Sequence, residues 1–312
     1  MTASGHARRA LVTGGAGFIG SHVVDAFLAD RYEVVAVDDL SKGVPENLAR
    51  DARLEVFDII DAARLDAVVS DFDPHVICHL AAQSSVTASV SDPARDLDVN
   101  VRGTFNVLEA ARRVRAPVVF ASTGGALYGN GAPLPTNESH PPEPLAPYGA
   151  SKLAGEAYVA TWARLFDLPN VILRLGNVYG PRQSTHGEAG VVAIFSDRLL
   201  RGETPTVYGD GLQTRDYVHV ADVASAFKAA SERAKEGTFN IGTGIETSVL
   251  TLLEHLQDAA KTRLEPAFEP LREGELLRSA LDSDQAVVAL GLGAAIPVDA
   301  GLAETFRWYA AR

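Results

Sequence analysis

The 312-residue chain is 46% hydrophobic and 22% charged, ordinary values for a globular protein with a substantial core in one large domain or two modest ones. A formal net charge of -12 excludes a general nucleic-acid or acidic-membrane binder, and no apolar run is long enough to span a bilayer. The single cysteine, Cys78 in HVICHL, excludes an intrachain disulfide and a multi-cysteine metal site, reads as a buried strand residue, and suits a reducing cytoplasm.

From Arg9 onward, short β-branched runs alternate with longer amphipathic stretches. ALVTG predicts a strand, SHVVDAFLADR a helix, EVVAVDD and RLEVFDI strands, AARLDAVVSDF a helix, and HVICHLAA a strand. Helical VRGTFNVLEAARRV and the strand PVVFAST follow. Nearly continuous apolar strands separated by helices predict an α/β fold with a parallel sheet covered on both faces. A proline-rich loop, APLPTNESHPPEPLAP, then delivers the chain to PYGASKLAGE. After VILRLGNVYGPRQ the alternation fades, and strand-like TPTVYGDG and GTFNIGTG mix with helical VVAIFSDRLLRG and VLTLLEHLQDAAKT. This part reads as a smaller, irregular portion over the carboxyl edge of the sheet, where open α/β folds bind ligands.

VTGGAGFIGSH carries Gly14, Gly17 and Gly20 directly after a strand and at the opening of a helix. Such glycines allow a tight turn and bring backbone amides up to a pyrophosphate. The next strand ends in Asp38-Asp39, carboxylates suited to ribose hydroxyls and repelling a 2′-phosphate, which favours NAD over NADP; nearby Lys42 weakens that preference. Asp58-Ile59 closes the third strand, where an adenine edge could be held. A strand-turn-helix without a ligand is the plain alternative. Tyr148 and Lys152 stand four apart, so one helical turn stacks them on a face, either as a surface pair or as a tyrosine whose proton is worked on.

With the glycine loop, HLAAQSS, FASTGGALYG, YGASK, RLGNVYGPRQ and YGDGLQTRDYVHVADVA in this order, the chain resembles the extended short-chain dehydrogenase/reductase family from about Arg9 to its end. Within that family it is most similar to the UDP-glucose (UDP-galactose) 4-epimerases. The resemblance implies a Rossmann-type doubly wound parallel sheet with a smaller α+β substrate domain. The NAD-binding domain would span residues 1–176 with a returning segment at about 213–243, and the nucleotide-sugar domain 177–212 and 244–312. It implies NAD contacts at Gly14, Gly17, Phe18, Ile19, Gly20, Asp38, Asp39, Ser41, Lys42, Asp58, Ile59, Leu80, Ala81, Ala82, Gln83, Ala121, Tyr148, Lys152 and Gly176, with Asn100 orienting the cofactor.

The resemblance makes Tyr148 the catalytic base and Lys152 its electrostatic partner. A phenol of pKa ~10 ionising near neutral pH needs roughly 4 kcal/mol of help, which a cation one turn away and a positive nicotinamide ring both favour. Thr123, or else Ser122, would bond the sugar O4; the family's hydroxyl stands four residues before the tyrosine of the Tyr-Gly pair, and here Gly124 holds that place. Family dehydratases carry Asp-Glu directly after the threonine and decarboxylases a glutamate. Gly124, Gly125 and Ala126 cannot move a proton, which argues against elimination.

For the UDP-sugar, the resemblance implies Asn177, Arg215 and Arg272 on the diphosphate, Glu275 on the ribose, Val191, Val192, Thr206 and Tyr208 around the uracil, Thr123 on the sugar, and Ser84 as a further substrate contact. The small Ser279 leaves room for an N-acetyl group, so UDP-GlcNAc/UDP-GalNAc join UDP-glucose/UDP-galactose as expected substrates. Asn177 and Ser184 both depart from the uronic-acid epimerases. Other expectations are a homodimer through NVRGTFNVLEAAR and YGASKLAGEAYVATWARL, Asp222 as a helix N-cap, and no metal site at His79, His186 or His219. A UDP-glucuronate 4-epimerase, 4-ketoreductase or dehydratase of the same family, or a non-catalytic NAD-binding protein, are the competing readings.

Overall fold

The structure, a computed structural model, describes residues 7–185, 190–233, 236–271 and 276–312. The first half alternates β1 (Arg9–Thr13), α1 (Phe18–Ala29), β2 (Glu33–Asp38), β3 (Arg53–Val56), α2 (Ala62–Phe72) and β4 (Val76–His79). Two short helices, α3 (Val86–Ser91) and α4 (Pro93–Leu97), lead through a wide π-type turn at Asp98–Gly103 into α5 (Thr104–Val114). Then come β5 (Val118–Thr123), α6 (Pro147–Phe166), β6 (Val171–Leu175) and β7 (Asn177–Tyr179). The remainder runs α7 (Val191–Arg201), β8 (Thr206–Tyr208), β9 (Thr214–Arg215), β10 (Tyr217–His219), α8 (Val220–Arg233), β11 (Gly237–Ile241), β12 (Thr247–Ser248), α9 (Val249–Ala260), β13 (Ala267–Glu269), α10 (Asp284–Leu290) and α11 (Val298–Ala310).

Seven strands pair in the order β11-β6-β5-β4-β1-β2-β3, every pair parallel. Alternate residues feed opposite faces. Val12, Val23, Phe27 and Phe227 make one core under α1 and α8, while Leu11, Ile77, Leu108, Phe120 and Val159 make the other under α2, α5 and α6. A third core of Tyr179, Phe195, Leu252 and Leu302 joins α7, α9 and α11 in the smaller lobe. The strand order reverses between β1 and β4, which opens the crevice where such sheets take ligands.

Three local expectations change. β4 stops at His79 because the Thr13 hydroxyl accepts the Leu80 and Ala81 amides (both 3.2 Å), turning this stretch out of the sheet and along the crevice. Asp222 is not an N-cap: α8 already begins at Val220, and the carboxylate accepts the Ile296 amide (2.9 Å), tying down the chain before α11. Residues 244–312 do not all lie in the smaller lobe, since Ala286 and Leu290 of α10 pack in the first core beside α8 and β11. No described helix is long and apolar enough to cross a membrane.

Candidate active site

The glycine loop forms the floor of the crevice. Gly14 has φ +69°, and a Cβ there would stand 2.7 Å from the Ala81 amide nitrogen. A Cβ on Gly20 would stand 2.0 Å from the Gly14 carbonyl. The first glycine therefore admits the turn beside β4, and the second lets α1 press against it. α1 begins at an N-cap glycine, Gly17, with no side-chain cap, so its first amides are left for an anion.

The cleft above this floor measures about 1080 Å³, and every residue expected at the cofactor lines it except Asn100. Asp38 lies at one side, only 6% exposed, accepting the Ala16 (3.0 Å) and Leu40 (2.9 Å) amides. Burial raises its pKa, against the pull of those backbone donors. Asp39 instead holds Ser41, whose amide and hydroxyl both donate to it (2.9 and 2.6 Å). Asp58 receives the Arg95 guanidinium at 2.8 Å, and the same guanidinium lies 4.0 Å from Asp39. Arg95 also lines the cleft and was not anticipated. Its signal was the Asp92-Pro93 pair that starts α4, with Asp92 capping the Arg95 amide (3.0 Å). Arg182, quoted within RLGNVYGPRQ but given no role, also lines the cleft and pairs with Asp25 of α1 at 2.6 Å.

At the opposite end Pro147 opens α6, which sets Tyr148 in the first turn and Lys152 one turn on. The Lys152 ammonium donates to the Ala121 carbonyl (2.9 Å) and lies 4.9 Å from the centre of the Phe120 ring. Burial pulls its pKa down to about 8, with Asp96 and Glu156 holding it up. Desolvation pushes the Tyr148 phenol up to about 12, a hydrogen bond with Thr123 draws it back, and Asp96 adds to the rise.

The two hydroxyls left open by the sequence differ in their partners, both on α6. Thr123 bonds Tyr148 and takes the Ala126 amide (3.1 Å). Ser122, which also lines the cleft, donates its hydroxyl to the buried Glu156 further along α6 (2.5 Å). Asn100 is 1% exposed, and its amide meets Gln83, Asp96 and Ser151, so it braces the Gln83 segment of the cleft wall from behind.

Ser84, Asn177, Val191 and Val192 line the cleft. Thr206, Tyr208 and Arg215 do not: they sit in β8 and β9, which pair with β13 and β12 as two small sheets of the second lobe. Thr206 there accepts from Arg198 (2.6 Å), and Arg215 donates to the Thr214 carbonyl (2.9 Å). Next to Arg215, Asp216 is fully buried and collects the Thr243, Gly244 and Leu281 amides, which fixes that strand's place. Arg272, Glu275 and His186 lie outside the described residues. Ser279 is buried and lines a second cavity of about 930 Å³ with Gly124, Gly125 and Leu281. His79 spans Thr13 (2.7 Å) and Thr104 (3.0 Å), and no group of described residues is arranged to hold a metal ion.

The residues present fit a dinucleotide. A side-chain-free floor meets bare helix amides, a carboxylate stands at the end of β2, and a phenol with an ammonium stands at the far end. Residues 10–242 match the NAD dependent epimerase/dehydratase family. A UDP-glucose 4-epimerase of Mycolicibacterium smegmatis is 47% identical over 307 residues, covering 96% of this chain and 98% of that protein. Among solved structures, UDP-glucose 4-epimerase of Thermotoga maritima with UDP-glucose superposes with a TM-score of 0.94 at 43% identity, covering 96% of this chain and 98% of that one. The Thermus thermophilus enzyme in complex with NAD gives 0.90 at 41%, with the same coverage.

Proposed function

The chain belongs to the NAD dependent epimerase/dehydratase family, and from that premise we propose that it is an NAD-dependent 4-epimerase interconverting UDP-glucose and UDP-galactose through a 4-keto sugar. The observation that carries this is the pairing of Tyr148 with Thr123 on the cleft wall, Lys152 one turn away, and glycines where an eliminating enzyme needs an acid and a base. A Cβ on Gly124 would stand 2.5 Å from a methyl of Leu281, so that place is filled from the second lobe. Relatives named dTDP-glucose 4,6-dehydratase reach 33–34% identity, but this chain lacks a proton-transferring side chain there.

When bound, NAD⁺ supplies a reversible hydride acceptor for sugar C4 and a positive ring that lowers the Tyr148 phenol. Tyr148 as phenolate takes the O4 proton, and Thr123 holds O4 against it. Lys152 stabilises the phenolate and is fixed by the Ala121 carbonyl. Proton return from Tyr148 completes either epimer, so the two half-reactions use one base. Asn177, Val191 and Val192 hold the nucleotide part within the cleft while the sugar turns about its phosphate linkage; Arg215 and Arg272 are assigned to the diphosphate and Glu275 to the ribose, with Thr206 and Tyr208 at the uracil. Concentrating binding energy on the UDP leaves the sugar free to present either face.

Protein purified without added cofactor is expected to convert UDP-galactose to UDP-glucose with no net NADH. Absence of the second sugar, or stoichiometric NADH release, overturns the assignment. The buried Ser279 beside Gly124 and Gly125 supports acceptance of UDP-GalNAc, which the same assay with that sugar decides.

The assembly we propose is a homodimer through α5 and α6. Phe105 (39% exposed) and Tyr158 (40% exposed) form an edge-to-face aromatic stack with Trp162, running on to Phe166, on the outer face of these helices. Sedimentation at twice the chain mass, reverting to the monomer in Phe105→Glu/Trp162→Glu, is the expected result; a monomeric wild type rejects it. The compartment we assign is the cytoplasm, on the single buried thiol, Cys78; recovery of the protein outside the cytoplasmic fraction would reject that.

A further inference from the structure

Behind the cleft wall lies Asp96, a buried carboxylate that acts on both Tyr148 and Lys152 but is given no role in the reaction above. We propose that Asp96 is a positioning residue of the proton-transfer site: it locks the Gln83 wall to the helix turn bearing Tyr148 and Lys152, and it sets the charge balance of that pair. The inference rests on Tyr148 being the base.

Asp96 is 1% exposed at the end of α4. Its Oδ1 accepts from Gln83 Nε2 (2.9 Å) and Asn100 Nδ2 (3.1 Å), both neutral amides. Among the described residues no Lys, Arg or His nitrogen lies within the 4.0 Å of an ion pair with it. A buried carboxylate held only by amides is one of the costlier groups a fold can keep, so a charge in reach should be using it.

The hydrogen bonds run from Asp96 to the base. Gln83 and Asn100 grip each other through backbone and side chain (both 2.9 Å). Asn100 Nδ2 also donates to Ser151 Oγ (3.0 Å), and Ser151 donates to the Tyr148 carbonyl (3.0 Å). Gln83 lines the cleft, while Ser151 lies between Tyr148 and Lys152 on α6. Asp96 thus ties the loop after β4 to the turn that aims the phenol.

The charges around the pair are few. Tyr148 is faced by Thr123 from β5 and Asp96 from α4. Lys152 is faced by Asp96, by Glu156 of its own helix and by His79 of β4. Glu156 is already paired with Arg174 of β6 at 2.7 Å, and burial keeps His79 neutral by pulling its pKa down to about 3. Of the described carboxylates that act on the pair, Asp96 is therefore the one without a cation within ion-pair distance. It keeps the buried ammonium charged, and it keeps the phenol protonated until positive charge enters the cleft.

Asp96→Asn retains an acceptor for both amides and removes the charge. With that charge gone, the phenol and the ammonium both titrate lower. The acid and alkaline limbs of kcat/KM against pH should then move down together, on the order of one pH unit. Asp96→Ser should move them the same way. The Tyr148 titration, read at 295 nm in NAD-loaded protein as Asp96→Asn minus Asp96→Asn/Tyr148→Phe, should fall in parallel, and it needs no turnover. Limbs and titration unmoved, with the rate reduced evenly at every pH, would mean that Asp96 is only a brace and overturn the proposal. Tyr148→Phe separates the two failures: if that variant still epimerises, the base assignment is wrong, whereas if it is inert and the limbs stay put, the Asp96 role is wrong.

Discussion

Tyr148→Phe is expected to leave NAD bound and to lower interconversion by at least 10²- to 10⁴-fold, the range general acid–base catalysis contributes. The lost hydroxyl is the one that interacts with Thr123. The cofactor end of the cleft does not depend on it. Asp38, the glycine loop and the Asp58–Arg95 pair are held by their own backbone and ionic partners. Cofactor content, read from the absorbance of released NAD, should therefore match wild type while product formation collapses. Two neighbours sharpen the result. Thr123→Ala should slow turnover with the fold intact. Ser122→Ala should weaken stability and spare the rate, because that hydroxyl serves Glu156. Full activity in Tyr148→Phe would remove the base assignment and the proposed reaction with it.

What could be read from the chain depended on how far apart the cooperating residues are. The glycine loop and the Tyr148–Lys152 spacing are local patterns, and strand-turn-helix physics gives them meaning before any tertiary contact is known. The Ser122–Thr123 choice was not legible. Motif spacing is broken by Gly124, and only the tertiary placement of α6 shows that Ser122 meets Glu156 while Thr123 lies beside Tyr148. Arg95 was invisible for a different reason: its partner Asp58 is 37 residues away, and the short helix that carries it has too few residues for an amphipathic pattern. α10 shows the same limit at the level of the fold. Its Val287 and Val288 are exposed, and only Ala286 and Leu290 report its place in the first core. Asn100 sits where its type suggests a ligand contact, yet the wide turn at Asp98–Gly103 directs its amide into the wall.

The largest stability effect is expected at Arg174, which no motif marks as structural. Its side chain is 8% exposed and that of Glu156 6%, and the guanidinium meets the carboxylate in a fork through Nε (2.9 Å) and an amino group (2.7 Å). Burial works against the Arg174 charge, but Glu156 and Tyr128 overcome it and hold its pKa above the ordinary value. The network continues from the remaining amino group to the Tyr128 hydroxyl (2.9 Å) and on to Asn240 (2.9 Å). It joins α6, the helix that carries Tyr148, to β5, β6 and β11. Arg174→Leu leaves the Glu156 charge buried without its cation and should cost about 3–5 kcal/mol, as breaking one side of a buried pair does. Glu156→Leu should cost a similar amount, for the mirror-image reason. The double variant Glu156→Leu/Arg174→Leu buries no charge, so it should be clearly more stable than the sum of the two singles. Chemical denaturation of all four proteins measures this. Additive losses would show that the pair is not electrostatically coupled and that the helix is held by packing alone. If coupling is found, the loss in Arg174→Leu should also reach the active site, because the turn bearing Tyr148 and Lys152 belongs to the helix that this pair anchors to the sheet.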